Sequence, residues 1–214
     1  MPLRVVVTDA NLLFSRVVRD YLLYAGSEGI IDVKWDQEIL DEMARNLHSA
    51  RGFSTLQVER LISNMNQAYP AALVHPTQGD YDVFADLAMP DPSDRHVVAA
   101  AVACDADVIC TDNLKDFPCT VMKRVGVGLM SADELLGRLV LESPNRMSNV
   151  HRSTMAALKE ATDETILSGL SRAGCEATSH AMKNVLAGKV YVHDHIRDGH
   201  SVRSYWRSRS RRTG

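Results

Sequence analysis

The apolar positions of this chain fall into short continuous runs alternating with stretches of helical spacing. Val5, Val6 and Val7 run into Thr8 and Asp9. A strand buried on both faces of a parallel sheet reads as such an uninterrupted run, so Arg4–Thr8 is a predicted first strand. From Asn11 to Ala25, Leu12, Leu13, Val17, Val18, Tyr21 and Leu22 recur with the helical period, and Gly26 and Gly29 follow. Ile30–Trp35 is a second strand candidate, which makes a βαβ unit. Asp36 can cap a helix over Gln37–Ser49 with the stripe Ile39, Leu40, Met43 and Leu47. On that wheel Glu42 and Asn46 lie at the edge of the stripe, Asp41 points away, and Glu38 lies further out than Glu42.

The alternation continues. Ser54–Ala68 reads as a helix ended by Tyr69-Pro70, Ala72–His75 as a short strand, and Asp80–Leu87 as a short helix. Two prolines stiffen Met89-Pro90-Asp91-Pro92-Ser93-Asp94 ahead of an alanine-rich helix. Asp107–Thr111 is a further strand ending in a group of acids, Asp112 to Asp116. Thr120–Val125 reads as the last strand, and the capping-box pattern Ser131–Glu134 opens a helix through Leu141. Residues 148–188 carry helical patterns and no strand-like run, and residues 189–214 are too polar to fold alone. The expected architecture is α/β: a three-layer α/β/α domain over 1–143 with a central, mainly parallel sheet, a helical C-terminal appendage over 144–188, and a flexible basic tail over 189–214.

Composition narrows the class. With 214 residues, 45% hydrophobic and 24% charged, the chain can bury a core. No run is long enough for a membrane helix, and the start does not resemble a secretory signal, so a cytoplasmic protein is expected. The four cysteines have no zinc-type spacing, and the cluster His193, His195 and His200 reads as polar surface. Net charge is −3, but seven Lys and Arg from Lys189 onward face only Asp194 and Asp198. An acidic body with a basic tail suggests an anionic partner for the tail.

In open α/β sheets, ligands bind outside the carboxyl ends of the strands. Asp9, Glu42, Asp94 and the Asp112–Asp116 group come from separate elements, and most are expected at that edge. Converging carboxylates repel one another unless a cation neutralises them, and an oxygen-only set selects Mg2+ or Mn2+. A divalent ion at such a site can activate water and stabilise a leaving oxygen in phosphodiester displacement. Each acid taken alone is equally a helix cap or a solvated surface group.

Four stretches together resemble PIN-domain ribonucleases, and most closely the VapC-type toxins of bacterial toxin–antitoxin pairs. They are Val-Val-Thr-Asp-Ala-Asn-Leu-Leu at 6–13, Ile-Leu-Asp-Glu-Met at 39–43, Asp-Pro-Ser-Asp-Arg-His-Val-Val-Ala-Ala-Ala at 91–101, and Ala-Asp-Val-Ile-Cys-Thr-Asp-Asn-Leu-Lys-Asp-Phe-Pro at 106–118. The resemblance implies a Mg2+- or Mn2+-dependent endoribonuclease with an RNA substrate, a small cognate antitoxin and a homodimeric assembly. Carried over by residue, it implies that Asp9, Glu42 and Asp94 are the first three site acids and metal ligands. It implies Asp116 as the fourth, supported by Asn113, with Asp112 as the alternative; Asp91, beside Asp94 on the proline-stiffened loop, is a further candidate by position alone. Arg16, Lys115 and Arg95 are candidates to neutralise the phosphate. Two other readings stand beside this one: a phospho-receiver domain, and a PIN-like module of weak or no activity that binds RNA or protein, for which Asn113 is the best argument.

Overall fold

The structure is a computed structural model that describes residues 5–197 and 200–208, without the side chains of 195–200. His195, His200, Arg4 and the last basic residues from Arg209 on therefore lie wholly or in their side chains outside what is described.

Strand β1 (Val5–Thr8) leads into α1 (Ala10–Phe14) and α2 (Arg16–Ser27), then β2 (Asp32–Lys34), α3 (Gln37–Arg51), α4 (Thr55–Ala68) and α5 (Gln78–Asp82). A 3-10 turn over Pro92–Asp94 starts α6 (Arg95–Ala103), followed by β3 (Val108–Cys110), a 3-10 turn over Leu114–Asp116, α7 (Cys119–Val125) and β4 (Gly128–Met130). Helices α8 (Ala132–Glu142), α9 (Pro144–Ala156), α10 (Asp163–Arg172) and α11 (Glu176–Leu186) complete the body, and β5 (Lys189–Val192), β6 (His195–Arg197), β7 (His200–Val202) and β8 (Tyr205–Ser208) form short antiparallel pairs.

Among the described residues the central sheet has the order β2-β1-β3-β4, parallel throughout. Val6 and Val7 in β1 and Ile109 in β3 are fully buried, as the unbroken apolar runs require. The chain leaves β1 toward β2 on one side and returns to β3 on the other. Right-handed crossovers then put α2 on one face and α6 and α7 on the opposite face, which is the expected three-layer α/β/α arrangement.

Several local expectations needed correction. The helix expected over Asn11–Ala25 is broken at Ser15, which has extended backbone angles (φ −77°, ψ 113°) and separates α1 from α2. Ala72–His75 contributes only an isolated bridge between Leu73 and Trp35. Residues 120–125, expected as the last strand, are the helix α7, and the last strand of the sheet is Gly128–Met130. Val121 and Met122 are buried and Val125 packs against the core, an i, i+1, i+4 pattern on one helical face. Gly126, at φ +72°, closes that helix in the left-handed conformation that glycine adopts without strain. β-Branched residues state a weak preference, which packing overrode.

The helices after 143 lie against the sheet domain, α9 on α2 and α11 on α8. Tyr21 of α2 places its hydroxyl 2.5 Å from Nδ1 of the buried His151 in α9, and His151 Nε2 lies 3.1 Å from Asp163 Oδ1 at the start of α10. An acceptor at Nε2 requires the proton there, so Nδ1 accepts from the tyrosine. Asp133 in α8 accepts from Ala177 N and Thr178 N and so caps α11. The stretch 189–214, expected to be too polar to fold alone, holds the ladder β5–β8, with Tyr191 opposite Trp206. Their rings lie 5.1 Å apart, and Trp206 packs on the core beside α8 and α11. This ladder forms on the helices rather than by itself. Cys104, Cys110, Cys119 and Cys175 are free thiols, and among the described residues no helix is long and apolar enough to cross a membrane.

Candidate active site

β1 and β3 are neighbours from which the chain departs in opposite directions, and such a switch point opens a crevice at the carboxyl ends of the strands. Asp9 stands there, directly after β1. It is the N-cap of α1, as any aspartate in that position would be, but its hydrogen bonds go further. Oδ1 accepts from Ala10 N at 2.6 Å, while Oδ2 accepts from Asn11 Nδ2 at 2.9 Å and from the Thr111 hydroxyl at 2.6 Å. Thr111 follows β3, so this last contact ties the ends of the two central strands together. Burial pushes the Asp9 carboxyl above its ordinary range, and the Thr111 and Ala10 hydrogen bonds pull against it.

Asp94 ends the 3-10 turn that Asp91 caps by accepting from Ser93 N (2.8 Å) and Ser93 Oγ (2.7 Å). Asp91 itself is exposed, and those two bonds hold its carboxyl below the ordinary range. Asp94 is buried and its Oδ2 has no hydrogen-bond partner among the described residues. Burial, then repulsion from Asp9, Asp91, Asp116 and Glu42, push its pKa up to about 6. Glu42, on α3, is raised by burial and by Asp9. These acids come from β1, α3, the Asp91–Asp94 loop and the loop after β3, and they act on one another through space.

Glu42, Asp94, Asp91, Asn113, Arg45 and His96 line a cleft of about 660 Å3. Glu38 and Asp41 line it too; both are exposed and Glu42 is half-buried, as the expectation that Asp41 points away from the apolar stripe and Glu38 lies further out than Glu42 requires. The cleft wall of α3 is the flank Glu38, Asp41, Glu42 and Arg45, spaced i, i+3, i+4, i+7.

The acids after β3 divide. Asp112 Oδ1 accepts from Ala132 N at 3.1 Å, so this side chain is committed to the start of α8. Asn113 donates its backbone N–H to Thr111 Oγ1 at 3.0 Å and its amide to Asp116 Oδ2. Asn113 and Asp116 thus join the Asp9–Thr111 network, through the backbone N–H of Asn113 rather than through strand alternation, since Asn113 (φ −97°, ψ 46°) is no longer extended. Of the proposed cations, Arg95 donates to Leu87 O and Phe84 O and lies over the Phe84 ring, while Arg16 donates to Ala157 O. Asn11 and His96 were missed. Asn11 lies two residues from Asp9, and its amide bridges Asp9 and Thr111. His96 is buried with Nδ1 2.5 Å from Ser93 O and no partner at Nε2. Its position two residues after Asp94 in the segment Asp-Arg-His was the available signal.

The donor chemistry fits a hard divalent cation. Every acid is an oxygen donor, no thiol joins the cluster, and one buried Asp94 oxygen lacks a partner. Among the described residues no three such side chains already stand in coordinating positions; the acids share a field rather than a coordination shell. Residues 5–115 match the PIN domain family. The chain belongs to the PIN domain family. PIN domains are commonly metal-dependent nucleases that use Mg2+ or Mn2+, and membership sets aside the phospho-receiver reading. No curated protein and no solved structure matched the chain.

Proposed function

We propose that this PIN-domain protein is a Mg2+- or Mn2+-dependent endoribonuclease and the toxin of a type II toxin–antitoxin pair, restrained by a small cognate antitoxin in the cytoplasm. The observation that carries the hydrolytic reading is Asp94, a buried carboxylate with an unpartnered oxygen inside the field of Asp9, Glu42 and Asp116. Keeping four acids together in a folded protein costs stability, and a cation offsets that cost. The RNA substrate and the toxin role rest on the resemblance of the four motifs to VapC-type toxins.

In this reading Asp9, Asp94 and Glu42 hold the ion. The bound ion would neutralise the acids and polarise the scissile phosphodiester. Asp9 is positioned by three donors, from Ala10, Asn11 and Thr111, so its orientation is set before substrate arrives. Glu42, at the cleft wall, and Asp116, steadied through Asn113, orient the attacking water and accept its proton. Arg45, in the same wall, would neutralise charge that builds on the scissile phosphate as the ribose oxygen leaves.

A second reading has one observation in its favour. Asn113 supplies a neutral amide where an acid would add charge, and that amide is committed to Asp116, which suits a PIN-like module of weak activity that binds RNA or protein. Incubation of structured RNA with the protein and Mn2+ separates the two. Wild type should give discrete fragments and Asp94→Asn none, and identical products from both would sink the nuclease reading. For the toxin role, expression should arrest growth of a bacterial host, and co-expression of a short neighbouring reading frame should restore it.

A further inference from the structure

Asn11, which bonds Asp9, and Asp112 adjoin the acid cluster but do not line the Glu42–Asp94 cleft. They open onto a second groove of about 520 Å3, within the roughly 300–1,000 Å3 typical of ligand clefts. Arg16 of α2, Arg51 of α3 and Arg172 of α10 project into its lining, with Asp112 the acid among them. Asp112 is engaged by Ala132 N, and Arg16 has Asp20 at 3.7 Å. Arg51 and Arg172 have no acidic partner among the described residues, and both are exposed. The guanidinium carbon of Arg51 lies over the Phe14 ring, 5.0 Å from its centroid, and both residues line the groove.

We propose that this groove binds the phosphate backbone of a single strand of nucleic acid, with Arg51 and Arg172 as the phosphate and base contacts that feed the strand past Asn11 to the acids. The proposal rests on the nuclease reading above and adds to it a strand-guiding surface. Arg51 and Arg172, without acidic partners among the described residues, leave positive charge in one concavity that a polyanion would balance. The groove is lined by α1, α2, α3 and α10. An arginine and an aromatic ring side by side in the groove offer an unpaired base a stacking surface. Arg172 lies outside residues 5–115, so this wall is an addition of the C-terminal helices to the PIN domain. Thr111 links the two surfaces: it accepts from Asn11 Nδ2 on the groove side and from Asn113 N on the cleft side.

The test is binding of a labelled oligouridine of about fifteen nucleotides to the full chain in EDTA, over a range of salt concentrations. Arg51→Gln/Arg172→Gln should weaken binding about tenfold and lower the slope of log affinity against log salt by about 1.4, or about 0.7 per lost phosphate contact. Lys123→Gln, on the exposed surface of α7, should bind as wild type. Arg172→Gln alone, with a slope change of about 0.7, serves if the double variant melts early. Unchanged binding by a folded double variant overturns the proposal, as does tighter binding of duplex than of single strand, or equal displacement by polyglutamate, which would mark an acidic peptide surface. Absence of RNA cleavage by wild type is a separate outcome that counts against the nuclease reading. Wild-type cleavage together with unchanged binding by the double variant overturns the groove alone.

Discussion

The hydroxyl of Thr111 donates to Asp9 Oδ2 at 2.6 Å, across 102 residues of sequence. One side chain at the end of β3 thereby sets the orientation of the carboxylate at the end of β1, and the same oxygen of Thr111 receives Asn11 and Asn113. Replacing Thr111 by Val keeps the shape and removes the hydroxyl. A hydrogen bond to a buried charged group contributes roughly 1.5–3 kcal/mol, so Thr111→Val should lose about 2 kcal/mol in urea unfolding. RNA cleavage should fall with it, and Thr111→Ser should recover both. A Val variant that unfolds and cleaves like wild type would show that Asp9 needs no such support.

Asp94→Asn should abolish cleavage and raise stability. The folded-state pKa of Asp94, about 6, lies above the ordinary carboxylate value. The folded state therefore favours the proton, and the ionised side chain is a penalty that is full above pH 6 and fades as pH falls toward 4. In EDTA at pH 7.5 the Asn variant should exceed wild type by about 1–2 kcal/mol, with the gap closing by pH 4.5. Melts at the two pH values check this; a gap that widens on acidification contradicts the burial and repulsion assigned to Asp94.

Metal linkage gives the complementary result. Mn2+ at about 100 times its dissociation constant should stabilise wild type by about 2.7 kcal/mol. Asp9→Asn and Asp94→Asn should gain little. Equal gains in all three proteins, read by thermal unfolding with and without EDTA, would place the ion elsewhere.

His151 provides a pH effect unrelated to the cleft. Its burial lowers its pKa from the ordinary 6.5 despite the opposing hydrogen bond to Asp163. The unfolded chain then binds the proton more readily, so the stability that neutral His151 contributes is complete above pH 6.5 and declines as pH falls through the lowered value. Wild type should lose stability relative to His151→Gln between pH 7.5 and 5.5, most directly seen as a narrowing difference in urea midpoints.

Trp206→Ala removes the ring that seats the β5–β8 ladder against α8 and α11. Trypsin should then cut at Arg203 and Arg207 several-fold faster while the core melts at nearly the same temperature. Unchanged cleavage would mean that the ladder gives the segment no protection.

Much of this molecule follows from local pattern. The continuous run Val5-Val6-Val7, the caps Asp36 and Ser131 and the stripe Ile39, Leu40, Met43 and Leu47 each report burial within a few residues, because a strand or a helix face is a short-range periodicity. The same logic failed at Thr120–Val125, where β-branched residues suit either state and only the neighbouring core decided for helix. It held at Glu38, Asp41 and Glu42, the first two exposed and the third half-buried, but that all three line one cleft depends on how α3 lies against its neighbours. That Asp9, Glu42, Asp94 and Asp116 act on one another could be expected from the carboxyl ends of parallel strands. That Asp112 turns to Ala132, that Asn11 and Thr111 steady Asp9, and that Asp94 keeps an unpartnered oxygen are contacts between residues far apart in sequence. Such contacts are set by strand order and register, so the sequence determined which residues could be catalytic, and the tertiary structure decided which of them face one another and what charge each must bear.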